Sequence, residues 1–166
     1  MILRRRRIKP PSQEDIAYDL GVVLPPEHKH LLPRSHNAPK AKAGYGTRIH
    51  LKQYSLTSFF KKRKFNLKEK HFSAKGFKNA KIFGDFLRKN IAKGNDQLVC
   101  FNQGRLKGKK KSWGHCTVIS RVGEKAVFMY DPDPRKSTME RRVPLQKLFD
   151  ATKNHYKGGV WVISGY

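Results

Sequence analysis

Acidic residues are scarce: 12 Asp and Glu stand against 37 Lys and Arg in 166 residues, a formal net charge of +25 at pH 7. That deficit excludes a heat-adapted surface of ion-pair networks, which raises Glu together with Lys. Cysteine is nearly absent. Cys100 and Cys116 are too few for a stapled secreted scaffold and do not stand in metal-ligand spacing, so the sequence predicts both to be reduced. Long apolar runs are missing as well: none approaches the ~18 residues that span a bilayer. Met1-Ile2-Leu3 runs straight into Arg4, Arg5, Arg6 and Arg7, without the apolar stretch of a signal peptide. The charged runs also lack a companion amphipathic helix with a clean apolar face, which argues against a membrane-surface protein. Together these absences predict a cytoplasmic location.

What is present is a foldable chain. Hydrophobic residues make up 37% and include ten Phe, six Tyr and two Trp, too rich for a wholly disordered basic tail. Residues 1–11 read as a basic, extended or short helical arm, and 12–166 as one domain. Ser12 is placed to cap a helix with Glu14 and Asp15 in its first turn, Ile16, Ala17 and Leu20 as its apolar stripe and Gly21 as its stop. The Pro-, His- and Gly-rich stretch 25–46 predicts an irregular loop with one helical turn at 27–32. Ser55 caps a second helix through Phe59 and Phe60. Ala80, Phe83, Phe86, Leu87 and Ile91 recur at helical steps between Asn79 and Gly94. Four β-rich runs follow at 98–101, 116–121, 126–130 and 160–164, with a last helix at 144–151. Helices first and strands later give an α+β plan in which the helical half packs on an antiparallel sheet.

The surplus of cations points to a polyanion, because self-repulsion on this scale weakens a free fold while raising affinity for phosphate. Candidate phosphate contacts are Arg4, Arg5, Arg6, Arg7 and Lys9 in the arm, and Lys61, Lys62, Arg63 and Lys64 at the end of the second helix. Arg105, Lys107, Lys109, Lys110 and Lys111 lie in the segment 104–112, which reads as a projecting basic tongue between two strands. RNA is favoured over DNA, since no helix-turn-helix, zinc-finger or basic-zipper signature is present and scattered basic arms suit an irregular RNA surface. Phe59, Phe60, Phe65, Phe72 and Phe77 interleave with lysines as stacking residues do, although filling a core is the commoner use of such residues. His28, His30, His36 and His50 lack convergent carboxylates or cysteines, so no metal site is expected, nor any cofactor.

One hairpin carries a chemical suggestion. A turn about Gly123 would set His115 and Asp131 directly opposite each other, letting a carboxylate orient an imidazole. At these residues, GH at 114–115 and YDP at 130–132, the chain resembles the papain-like cysteine peptidases, in particular the bacteriocin-processing branch. SQEDIAYDLG at 12–21, KAGYGT at 42–47 and GGVWVIS at 158–164 extend the resemblance over most of 8–164. The resemblance implies a papain-like fold with its base at His115 and its orienting acid at Asp131. It also implies an oxyanion-hole Gln and a nucleophilic Cys at the start of a helix, neither of which this chain has in place. Cys116, adjacent to His115 on a strand, points to the opposite face. The leading expectation is therefore a papain-like relative, without its nucleophile, serving as a structural RNA-binding protein of a ribosomal or other ribonucleoprotein particle, with no small-molecule substrate. The alternative is an active thiol hydrolase whose nucleophile is Cys100 or comes from another chain or an upstream segment.

Overall fold

The computed structural model describes residues 1–36, 45–110, 113–130 and 140–165. They form two compact units, Met1–Lys68 and Glu69–Gly165.

In the first unit the basic arm starts as a short helix, α1 (Ile2–Arg5), whose Leu3 is buried. Helix α2 (Gln13–Asp19) forms as the sequence predicts: the Asp15 amide donates to the Ser12 hydroxyl at 3.1 Å, and Glu14 and Asp15 occupy the first turn, where the helix dipole favours them. Gly21 ends it at φ +61°, with the Tyr54 ring packed so closely that a Cβ would lie 2.6 Å from its Cγ. A 3-10 turn at Pro26–Leu31 is the one expected in the Pro-rich stretch. Beyond it Val23, fully buried, bridges to both His36 and Gly46. Helix α3 (Leu56–Lys62) is capped by Ser55, which accepts from the Ser58 amide at 3.1 Å. Phe59 and Phe60 are buried, and Phe65 folds back on Phe59 at 5.8 Å between ring centroids. The return needs Lys64 at φ +55°, a left-handed conformation that glycine usually occupies after a helix.

The second unit is built on a six-stranded sheet of order β1-β6-β2-β3-β4-β5, with β1 at Leu67–Ser73, β2 at Asp96–Asn102, β3 at Gly114–Val122, β4 at Ala126–Tyr130, β5 at Glu140–Pro144 and β6 at Gly159–Gly165. β2 pairs antiparallel with β3 and β6, and β4 with β3 and β5. The four central strands are those the sequence predicts. β1 and β5 are additional, and their positions explain why: LKEKHFS and ERRVP lie at the two edges, where charged side chains replace the apolar alternation of a half-buried strand.

Helices α4 (Ala80–Ala92) and α6 (Leu145–Lys153) supply most of the helical side of the core. Phe83 and Leu87 of α4 and Leu148 and Phe149 of α6 join Val99 and Phe101 of β2, Ile119 of β3, Met129 of β4 and Val160 and Val162 of β6 in one apolar cluster. Asn79 caps α4 by accepting from the Ile82 amide at 2.9 Å. The α+β plan with an antiparallel sheet is thus the observed architecture.

The expected basic tongue is corrected. Its first half is helix α5 (Gln103–Leu106), capped by Asn102, with Gln103, Gly104 and Leu106 buried. Gly108 at φ +68° closes it, and the Lys109 amide donates to the Gly104 carbonyl at 2.8 Å. Leu106 anchors the start of the segment in the core, so residues 103–106 pack against the unit, while residues 107–110 are exposed and residues 111–112 lie outside the described residues.

Candidate nucleic-acid interface

Four of the acids pair with neighbouring cations. In the first unit the Asp19 side chain is almost wholly buried and accepts from Lys62 Nζ at 2.5 Å and Arg63 Nε at 2.7 Å. The Asp19 carboxylate in turn raises the Arg63 pKa. Asp15 pairs with Arg34 at 2.9 Å and Arg63 at 3.4 Å, and its pKa is lowered first by the Ser12 hydroxyl and then by Arg63. In the second unit Asp85 pairs with Arg88 at 2.5 Å, and Glu140 with Arg121 at 2.9 Å; both carboxyls are lowered, chiefly by those arginines. Each of these carboxylates is spent on a neighbouring cation.

The candidate phosphate contacts therefore divide. Lys62 and Arg63 are committed to Asp19, and the guanidinium of Arg63 is largely covered. Arg4, Arg5, Arg7, Lys9, Lys61 and Lys64 of the first unit are exposed, while Arg6 is half-buried. Arg105, Lys107, Lys109 and Lys110 of the second unit are exposed along and beyond α5. Lys111 lies outside the described residues.

The five interleaved phenylalanines serve packing. Phe59 and Phe60 are core residues of the first unit, Phe65 packs on Phe59, Phe72 on Phe86, and Phe77 on both Phe83 and Phe86. Four other aromatics are exposed among the described residues: Tyr156 at 87%, Tyr45 at 56%, Tyr18 at 40% and Trp113 at 38%; of these, Trp113 and Tyr156 lie in the second unit. The signal of Trp113 and Tyr156 was local: Trp113 adjoins Gly114 and Tyr156 adjoins Lys157, each just outside an apolar run.

The hairpin of β3 and β4 differs from its expected register. Opposition of 115 and 131 requires Val118 to face Phe128, whereas Val118 pairs with Tyr130 and Ile119 with Met129. The turn is at Glu124-Lys125, closed by the Gly123 amide on the Ala126 carbonyl at 2.8 Å, and a bulge at Ser120 inserts one extra residue into β3. Asp131 lies outside the described residues. His115 pairs across the sheet with the core residue Phe101, its ring edge-on at 5.8 Å, on the helix-facing side.

The cysteines also depart from expectation. Cys100 and Cys116 are directly opposed on β2 and β3, 4.2 Å apart at Cα, and form a disulfide. A two-residue alternation puts this pair on the face opposite His115 and Phe101. Cys100 is thus both bonded and turned away from the imidazole it would have to serve. Spacing alone misses the bond because it depends on the register of two strands separated by α5.

Among the described residues no group of three His, Cys, Asp or Glu side chains could hold a metal ion, and no helix is long and apolar enough to cross a membrane. No protein-family model matches this chain, and no curated protein matches it in sequence.

Proposed function

We propose that this chain is a structural RNA-binding protein, a component of a ribosomal or other ribonucleoprotein particle, built on a papain-like scaffold that no longer performs thiol chemistry. The observation that carries the reading is the charge ledger. The net charge is +25; Asp15, Asp19, Asp85 and Glu140 are in internal pairs, and Arg4, Arg7, Lys9, Lys61, Lys64, Arg105, Lys109 and Lys110 are exposed on the arm, the end of α3 and the α5 segment. Distributed exposed Lys and Arg suit counterion release from a phosphate backbone. The papain-like part rests on narrower support: His115 stands near the start of β3 on the helix-facing side, and both cysteines are withdrawn into a bond on the other face.

The test is binding of the full chain to folded RNA by fluorescence anisotropy across a salt series. Affinity falls linearly on a log–log plot, and replacing Lys109 and Lys110 by Ala lowers the slope by about one per lost phosphate contact. Salt-independent binding, or none, overturns the reading. Co-sedimentation with ribosomal particles separates the ribosomal assignment from other RNA partners.

A further inference from the structure

Resting on the RNA-binding reading, we propose that Trp113 and Tyr156 form a stacking platform for unpaired nucleotides at one end of the second unit's sheet. Trp113 immediately precedes β3 and Tyr156 follows α6, so they are distant in sequence. A contact between their chain neighbours, Gly114 and His155, brings the two backbone segments together. The Gly114 Cα packs against the ring of His155, so closely that a Cβ there would collide with His155 Nε2. The neighbours of this contact are the two exposed rings.

Each ring carries a cation over one face, which leaves the other face for a base. Lys107 Nζ lies 5.8 Å from the Trp113 ring centroid and Lys157 Nζ 5.3 Å from that of Tyr156. The Trp113 backbone is held, its carbonyl accepting from the Gln103 amide at 2.8 Å, so the indole stands on the fixed end of α5. Arg105 of α5 and Lys109 and Lys110 just beyond it are exposed as well. Tyr156 is the most exposed large hydrophobic side chain among the described residues, and core packing does not account for it.

Flat rings flanked by ammonium groups match the two parts of an unpaired nucleotide: the base face stacks and the phosphate is neutralised. A duplex keeps its base faces occupied and offers phosphate alone. A base-free polyanion, or an acidic protein surface, engages the cations and leaves the rings idle.

The full-length chain is titrated with an oligouridylate of about 12 nucleotides, an RNA duplex of equal length, and heparin. Trp161 is only 5% exposed, so a change in tryptophan emission reports Trp113. The oligouridylate quenches that emission. Trp113→Ala and Tyr156→Ala each weaken its binding by about ten-fold, and Trp113→Phe restores most of the affinity. Duplex and heparin binding stay unchanged in all three variants, and thermal melts show the variants folded. If the wild type binds RNA with the salt dependence above but the variants bind oligouridylate as well as it does, the platform is overturned and the RNA reading stands. Equal losses toward heparin also overturn it, by assigning the patch to charge alone. A wild type that binds no RNA removes both.

Discussion

Lys64 shows how two demands meet on one residue. It sits at φ +55°, where an L side chain costs about 1–2 kcal/mol, and it is exposed beside Lys61 on the basic end of α3. Glycine would adopt that conformation without steric cost, at some loss of chain entropy. Lys64→Gly is therefore expected to stabilise the first unit by about 0.5–1 kcal/mol, read as a higher denaturant midpoint, while weakening RNA binding in low salt. A variant that loses stability would show that the lysine side chain holds the turn. Lys62 and Arg63, two and one residues before it, differ because Asp19 already uses their charge. Sequence reading grouped all four together; the buried acid that separates them lies more than forty residues away in the chain.

At the level of elements, the disulfide joins the two central strands β2 and β3 across a loop of 16 residues that contains α5. A closed loop of that size stabilises by about 3 kcal/mol in a chain-entropy account. Thiol counting on the denatured, unreduced protein should find no free sulfhydryl. Reduction, or the Cys100→Ser/Cys116→Ser pair, should lower unfolding free energy by about that amount while leaving RNA affinity in low salt intact. Two reactive thiols in the untreated protein would refute the bond. Which elements were legible follows the same logic. Helix α4 could be read because Ala80, Phe83 and Leu87 repeat at helical steps between a capping Asn and a stopping Gly. α2 and α3 announced themselves by their serine caps. β1 and β5 could not be read, since an edge strand buries little and its charges mask the period. The β3–β4 register was missed by two positions, because the bulge at Ser120 and the turn at Glu124-Lys125 depend on pairing. The cations of the candidate site were visible in the sequence, whereas the contact of Gly114 with His155, next to Trp113 and Tyr156 in the chain, needs the fold.

For the whole molecule, charge and acid response are linked. Burial lowers the pKa of both His71 and His155, so the folded state resists protonating them. The unfolded chain binds those protons at about pH 6.5. Because it then holds more protons than the native state, stability is retained above that pH and declines as pH falls from it toward the lowered folded values. The carboxylates of Asp15, Asp85 and Glu140, all lowered, add a second decline at still lower pH. Denaturant melts between pH 7.5 and about 5 should show the first decline, and His71→Gln with His155→Gln should flatten it. A flat wild-type profile would mean that both rings titrate as freely in the fold as outside it.

The strands at the two margins of the sheet carry a consequence for crowding on a shared ligand. Lys68 and Lys70 are exposed on β1, and Arg142 is exposed on β5. When one long polyanion collects several copies, rim meeting rim would oppose like charges before backbone groups could join. The like charges at both rims then keep neighbouring copies from joining edge to edge.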